Sequence, residues 1–160
     1  MLYPDADFAG IYCYEMPTDP ACAKSCTGFV IVFAGLPVMW QFKLQTETAL
    51  STMEAEINSL AACMRELILI MDMVQELADA VGKSAGDVNM KVSVHEDNLG
   101  ALVLAETLPP QFTPRSKYYV TKTIWFQEEI HKRGIKLLKI DTTEQLGDIF
   151  TKGLAQPMFE

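Results

Sequence analysis

Four acidic residues lie near the ends of predicted strands and helices, where α/β folds place their chemistry: Asp5, Glu56, Asp97 and Asp148. Hard divalent cations such as Mg²⁺ prefer oxygen ligands, and two such ions about 3.5–4 Å apart can activate a water and stabilise the leaving oxygen of a phosphodiester. Crowded carboxylates repel one another, so a cluster is costly without a cation. The residue types therefore indicate metal-dependent phosphodiester chemistry, provided that the fold brings the four side chains together.

Other acidic residues compete for these roles. Asp7 lies on the same face of the first predicted strand as Asp5, because side chains alternate along a strand with a period of two. Glu54 completes the capping pattern Ser51-Thr52-Met53-Glu54 and is better explained as a cap than as a ligand. Because the chain has 21 acidic residues, four at element boundaries is a weak signal by itself, and each could be a cap or a solvated charge.

Hydrophobic periodicity and turn residues predict the elements that must position these side chains. The predicted strands cover residues 2–8, 28–34, 38–43, 90–95 and 135–140. A helix of about 30 residues follows Ser51 and closes at Gly82, and two further helices cover residues 98–106 and 117–133. Thr142 and Gln145 form a second capping pattern, which predicts a last helix that reaches about Leu154.

The element order β-β-β-α-β-α-α-β-α predicts an α/β fold. Strands separated by helices favour parallel pairing and the opening hairpins favour antiparallel pairing, so we expect a mixed sheet flanked by helices. The 160 residues contain no repeat or linker that would divide them, and we expect a single domain over residues 1–160.

The net charge of −8 argues against nucleic-acid binding only if it is taken as a single number. Residues 111–139 carry seven Lys or Arg against two Glu, and local patches of this kind bind phosphates. A solvated helix face explains the segment equally well. No signal peptide or membrane span is visible in the sequence, so we expect an intracellular protein.

Cysteine spacing does not predict a zinc site. The four cysteines, Cys13, Cys22, Cys26 and Cys63, lack a second close pair or histidines at zinc-finger spacing. The Cys22–Cys26 pair is a weak candidate for a metal or redox site, and reduced cysteines in loops or packed regions are favoured.

Several strings resemble the ribonuclease H domain of copia-type retrotransposon polyproteins. In chain order they are Asp5-Ala6-Asp7-Phe8-Ala9-Gly10 (family DADWAG), Thr27-Gly28-Phe29 with Trp40 (the TGY hairpin), Lys43 with Gln45 (K-x-Q), Ser51 to Glu56 (the S-S/T-x-E-A-E helix start), Asp97-Asn98 (D-N), Arg115-Ser116-Lys117 (R-T/S-K) and Gln145 to Lys152 (QLADIFTK). Each motif alone is weak, but together they follow the family order over nearly the whole chain.

The resemblance implies a ribonuclease H-like fold with a five-stranded mixed sheet and an Asp-Glu-Asp-Asp set that falls on Asp5, Glu56, Asp97 and Asp148. It implies hydrolysis of the RNA strand of RNA–DNA hybrids, leaving 3′-hydroxyl and 5′-phosphate ends, with two Mg²⁺ or Mn²⁺ ions that Asp5 bridges. A hybrid is recognised mainly through its backbone and 2′-hydroxyls.

The resemblance also names partners and a location. The candidate phosphate contacts are Arg115, Lys117 and Lys122. Besides the hybrid, the expected partner is the reverse transcriptase domain of the same polyprotein, with no membrane. The expected location is cytoplasmic or nuclear, including retrotransposon particles.

The chain departs from the family pattern in ways that bear on efficiency. Tyr118 and Tyr119 follow the R-S-K segment where relatives carry histidine, and His131 is better interpreted as a surface residue than as a replacement. Gly147 stands where the family has alanine, which we expect to cost up to about 1 kcal/mol in helix propensity.

Two other functions compete with an active ribonuclease H. A non-catalytic relic would bind a hybrid or a protein without cutting. The intact acidic set favours the active enzyme, whereas the acidic total and the missing histidines keep the relic as an alternative. An integrase or DNA nuclease of the same superfold would generally use three acidic residues, and the Gln145 to Lys152 ending argues against it.

Overall fold

The computed structural model describes residues 1–10, 20–83, 90–106 and 117–152. Its strands and helices, in chain order, are β1 (Leu2–Asp7), β2 (Cys26–Phe33), β3 (Leu36–Leu44), α1 (Thr52–Ala80), β4 (Ser93–Glu96), α2 (Leu99–Glu106), α3 (Lys117–Arg133), β5 (Lys136–Lys139) and α4 (Asp148–Thr151). Short 3₁₀ turns cover Pro20–Ala23 and Thr142–Glu144. The predicted order of strands and α-helices is confirmed.

The five strands form one mixed sheet in the order β3-β2-β1-β4-β5. β1 pairs antiparallel with β2, and β2 pairs antiparallel with β3. β4 lies parallel to both β1 and β5. The carboxyl ends of β1 and β4 therefore meet at one edge of the sheet, and β1 is the central strand.

Helix α1 packs its apolar stripe on the sheet. The helix, the sheet and α3 share one core cluster. Its members include Ile57, Leu60, Met64 and Leu67 of α1, Leu2, Phe29, Ile31 and Val94 of the sheet, and Phe126 of α3. The Ser51 hydroxyl accepts from the Glu54 amide, as predicted, and the Glu54 carboxylate accepts from the Leu50 amide, one residue before the cap. Glu54 is thus occupied at the helix start.

The second predicted capping pattern is wrong. Thr142 begins a 3₁₀ turn, and α4 starts only at Asp148 and has four residues in the described part of the chain. The Gln145 side chain is buried and donates to the carbonyls of Pro4 and His95, so it joins β1 to β4 instead of capping a helix. Leu154 lies outside the described residues.

Gly28 lets α4 approach the sheet. It pairs with Asp5 in the ladder between β1 and β2, and a Cβ at this position would lie 2.9 Å from Phe150 Cβ and 2.5 Å from Thr151 Cγ2. We expect Gly28→Ala to lower the free energy of unfolding by about 1–3 kcal/mol through this overlap, as urea unfolding would measure. Unchanged stability would contradict the close packing of α4 on β2.

Two further expectations from the sequence concern the cysteines and membrane-spanning segments. Cys26 and Cys63 are free thiols, and both are buried, as Cys22 is, in line with the interpretation of reduced packing cysteines. Cys13 lies outside the described residues. Among the helices of the described ranges, none combines the length and hydrophobicity that a bilayer crossing requires.

Candidate functional site

Three of the four predicted carboxylates converge at the edge of the sheet where β1 and β4 end. Asp5 lies on β1, Asp97 directly follows β4, and Asp148 begins α4, which packs against β1 and β2. Each offers one carboxylate oxygen, and these oxygens all lie within 4.8 Å of one another. The convergence follows from the parallel pairing of β1 with β4, because parallel strands end at the same edge.

Neighbouring hydroxyls fix two of these carboxylates. The Thr151 hydroxyl, one turn into α4, donates to Asp5 Oδ2. The Thr142 hydroxyl donates to Asp97 Oδ2 at 3.0 Å. Ser59 donates to the backbone carbonyl of Asp5 at 2.7 Å and so anchors α1 against β1 at the same residue. The acidic cluster is therefore positioned by three different elements, and its geometry depends on the packing of all three.

Glu56 lies in the second turn of α1, outside the group of three aspartates but buried close to it. Its side chain is 8% exposed, and Oε2 has no hydrogen-bond partner in the part of the chain that the structure describes. The pKa of Glu56 is raised to about 9, first by burial and then by the charges of Glu96 and Asp5. The structure thus places the fourth predicted residue within electrostatic reach of the cluster.

Asp5 is 1% exposed, and burial raises its pKa to about 6. The Thr151 hydrogen bond and the nearby Lys152 ammonium oppose this rise, while Asp148 and Asp97 add to it. Charged carboxylates in such surroundings are unfavourable unless a cation compensates them.

Lys152 supplies a positive charge at the outer side of the cluster, and motif reasoning gave it no role. Its ammonium lies 2.6 Å from Asp148 Oδ1 and 3.7 Å from Asp5 Oδ1. The side chain is 41% exposed, so solvent screens both contacts. The sequence did contain a signal for this role. Lys152 lies four residues after Asp148, and residues at that spacing share a helix face.

We expect Lys152→Gln to tighten Mn²⁺ binding by on the order of 3- to 10-fold, because the variant removes a cation that competes for Asp5 and Asp148. Isothermal titration calorimetry would measure this change. Lys83→Gln is a matched control, because Lys83 is exposed and lies just after the far end of α1. Weaker Mn²⁺ binding by Lys152→Gln would show instead that Lys152 holds the aspartates in place.

Gly147 has a different structural role from the one expected. It lies just before the first residue of α4 and not inside the helix. A Cβ there would lie 2.9 Å from both Asp5 Cβ and the Tyr3 carbonyl oxygen. The expected cost in helix propensity therefore does not apply. Glycine instead lets the start of α4 approach β1 beside Asp5.

The predicted phosphate contacts are only partly within the described residues. Lys122 on α3 donates to Glu47 Oε2 at 3.0 Å and to Asn58 Oδ1 at 2.8 Å, so its charge is already partnered. Arg115 lies outside the described residues, and so does the side chain of Lys117, the first residue of α3. His131 is exposed on α3, as the interpretation of a surface histidine requires.

Comparison with known proteins gives both sequence and structural relatives, although no protein-family model matches the chain. It is 32% identical over 158 residues to the retrovirus-related Pol polyprotein from transposon TNT 1-94 of Nicotiana tabacum, and 26% identical to that from transposon RE2 of Arabidopsis thaliana. Both matches cover 99% of this chain and 10% of the relative. The chain thus spans about a tenth of the length of these polyproteins.

Two solved structures have a fold similar to that of this chain. LC11-RNase H1 in complex with an RNA/DNA hybrid matches with a TM-score of 0.61 at 15% identity, over 99% of this chain and 98% of that one. A second structure of LC11-RNase H1, isolated from compost, matches with the same TM-score at 16% identity, over 99% and 96% of the two chains. By these sequence and fold matches, the chain corresponds to a segment of the copia-type retrotransposon Pol polyproteins and has a ribonuclease H-like fold.

Proposed function

We propose that the chain is a metal-dependent endoribonuclease that hydrolyses the RNA strand of RNA–DNA hybrids, leaving 3′-hydroxyl and 5′-phosphate ends. The observation that carries this proposal is the convergence of Asp5, Asp97 and Asp148 within 4.8 Å at one edge of a ribonuclease H-like sheet. Glu56 completes the set that the family resemblance assigns.

The donor set fits Mg²⁺ or Mn²⁺. All candidate ligands are carboxylates, which hard divalent cations prefer, and the unpartnered Glu56 Oε2 leaves a buried acceptor that a cation would satisfy. Asp5, Glu56, Asp97 and Asp148 would hold the metal, for which we propose two ions. When bound, the metal would lower the pKa of water and stabilise the charge of the leaving oxygen.

The chain's own residues contribute preorganisation. Thr151 and Thr142 donate to Asp5 and Asp97 respectively, so one oxygen of each carboxylate is held. The other oxygen would bind the metal, and at Asp5 the Lys152 ammonium would have to move away first. Gln145 crosslinks the backbones of β1 and β4 beneath the cluster. Groups held in this way need little reorganisation during the reaction, and this lowers the barrier.

Substrate recognition is proposed from charge and from the structural relative, which was crystallised with an RNA/DNA hybrid. Arg115, Lys117 and Lys122 remain the proposed phosphate contacts, and Lys122 would have to exchange Glu47 and Asn58 for phosphate oxygens. The proposed partner is the reverse transcriptase domain of the same polyprotein, which would help to bind the substrate inside retrotransposon particles.

Cleavage of labelled substrates tests the proposal. A hybrid, a DNA duplex and an RNA duplex of one sequence would be incubated with the chain in Mg²⁺, in Mn²⁺ and in EDTA. We expect cleavage of the RNA strand of the hybrid only, dependent on metal, with 3′-hydroxyl products. Binding of the hybrid without cleavage in either metal would support the non-catalytic relic, and cleavage of duplex DNA would support a DNA nuclease.

A further inference from the structure

Glu96, the last residue of β4, is a fifth carboxylate near the site, and it is fully buried. It shares a strand face with the core residue Val94, and its side chain is 0% exposed. One oxygen, Oε1, accepts from the Asn98 amide at 3.2 Å. The other, Oε2, has no hydrogen-bond partner among the residues that the structure describes.

Glu56 on α1 has the same unusual environment. It too is more than nine-tenths buried, and its Oε2 is the other buried side-chain atom without a partner in the described ranges. Among the charged groups that act on Glu56, Glu96 has the largest effect, ahead of Asp5 and Asp97. Val94, on the same strand face as Glu96, packs with Ile57 of α1 in one core cluster, so Glu96 faces the helix that carries Glu56. Two buried carboxylates, each with an unsatisfied oxygen, thus lie within electrostatic reach of each other and of the aspartates.

No ion pair compensates these two carboxylates in the part of the chain that the structure describes, although the charge of Lys152 opposes the rise in the pKa of Glu56. Within the described residues, the ion pairs of Lys152 are with Asp5 and Asp148, and no Lys or Arg forms an ion pair with Glu56 or Glu96. A neutral buried acid would need an acceptor for its hydroxyl, yet neither Oε2 contacts one. Buried carboxylates without a partner are costly, whereas coordination of a cation would satisfy both oxygens.

We propose that Glu96 is a ligand of the metal site and binds a divalent, oxygen-preferring cation together with Glu56, beside the aspartate cluster. This inference rests on the proposed function, since it extends the same site. It also goes beyond the family resemblance, in which the acidic motif after β4 starts at Asp97.

Mn²⁺ titration of Glu96→Gln tests the proposal without reference to catalysis. The substitution keeps the size of the side chain and removes its charge. We expect calorimetry to give Mn²⁺ binding at least about 10-fold weaker than in the unsubstituted chain, since loss of a group that only supports a ligand already costs about 10- to 100-fold in metal affinity. Glu76→Gln, an exposed position on α1, carries the same charge change and should bind Mn²⁺ as the unsubstituted chain does.

The outcomes separate the inference from the function it rests on. If Glu96→Gln binds Mn²⁺ as tightly as Glu76→Gln, Glu96 is a buried neutral acid and the inference is overturned, while the nuclease proposal stands. If the unsubstituted chain binds no Mn²⁺, both are overturned.

Circular dichroism checks that the variants fold. If Glu96→Gln does not fold, a crystal structure of the unsubstituted chain with Mn²⁺ tests the inference instead. Crystals soaked in Mn²⁺ should place an ion about 2.1 Å from a Glu96 oxygen. An ion bound to the aspartates with Glu96 beyond coordination distance would refute the inference.

Discussion

Asp97→Asn is expected to lower the rate of hybrid cleavage by about 100- to 1000-fold while the chain stays folded, the range for loss of one preorganised electrostatic group. Asp97 is one of the three converging aspartates, and one of its oxygens already accepts from Thr142. An amide keeps the shape of the carboxylate but offers a cation no negative charge. Single-turnover cleavage of a labelled hybrid in saturating Mg²⁺ would measure the effect.

Asp141→Asn is the matched control. Asp141 is exposed, precedes the 3₁₀ turn that carries Thr142, and makes no side-chain capping hydrogen bond. The control changes the same charge in the same region, so it should keep at least about half of the activity, as a surface substitution normally would. Equal loss in both variants would mean that net charge, rather than the aspartate cluster, controls cleavage.

The stability of the metal-free chain should fall as pH rises from about 4 to about 9. Burial raises the folded-state pKa of Asp5 to about 6, of Glu96 to about 8 and of Glu56 to about 9, all above their ordinary values of 3.8 to 4.5. In this window the unfolded chain has released protons that the folded chain retains, so the native state loses its advantage as pH rises. The contribution is complete below pH 4 and is lost above pH 9.

Mg²⁺ should reverse this loss. Metal ligands must be deprotonated, so binding is stronger at high pH, and it stabilises only the folded chain. At 100-fold excess over the dissociation constant we expect the melting temperature to rise by roughly 5–10 °C at pH 8.5, and by much less at pH 5. Differential scanning fluorimetry with Mg²⁺, and with K⁺ at equal ionic strength, would measure both shifts. A rise that is equal at the two pH values would contradict ligation by the buried carboxylates.

Sequence patterns predicted the fold well because its elements carry strong local signals. The long helix has both a capping serine and a continuous apolar stripe, and the structure gives Thr52–Ala80 for the predicted helix after Ser51. The β2–β3 hairpin follows from β-branched and aromatic strands around Gly35. The distinction between Glu54 and Glu56 also came from the sequence, since capping already occupied Glu54.

Tertiary roles of polar residues were not predictable in the same way. Gln145 has the spacing of a capping residue, but its amide is used between β1 and β4, which no local pattern reveals. The close approach at Gly147 depends on where α4 packs, so helix propensity alone gave the wrong reason for its effect.

Glu96 did leave a signal in the sequence. It follows Val92 and Val94 in an alternating pattern, so its side chain had to face the core. A charged residue in phase with the buried Val94 and the partly buried Val92 is unusual unless it has a partner. The burial of Glu96 was therefore predictable, but its nearness to Glu56 was not, because that depends on how α1 packs on the sheet.

Anomalous diffraction from crystals soaked in Mn²⁺ tests the central claim most directly, since it locates the cation without relying on activity. We predict a peak between Asp5, Asp97 and Asp148, with carboxylate oxygens about 2.1 Å away and the Lys152 ammonium displaced from Asp5. If Asp5 and Asp148 remain paired with Lys152, with no anomalous peak between the three aspartates at millimolar Mn²⁺, the acidic cluster is not a metal site and the nuclease proposal fails.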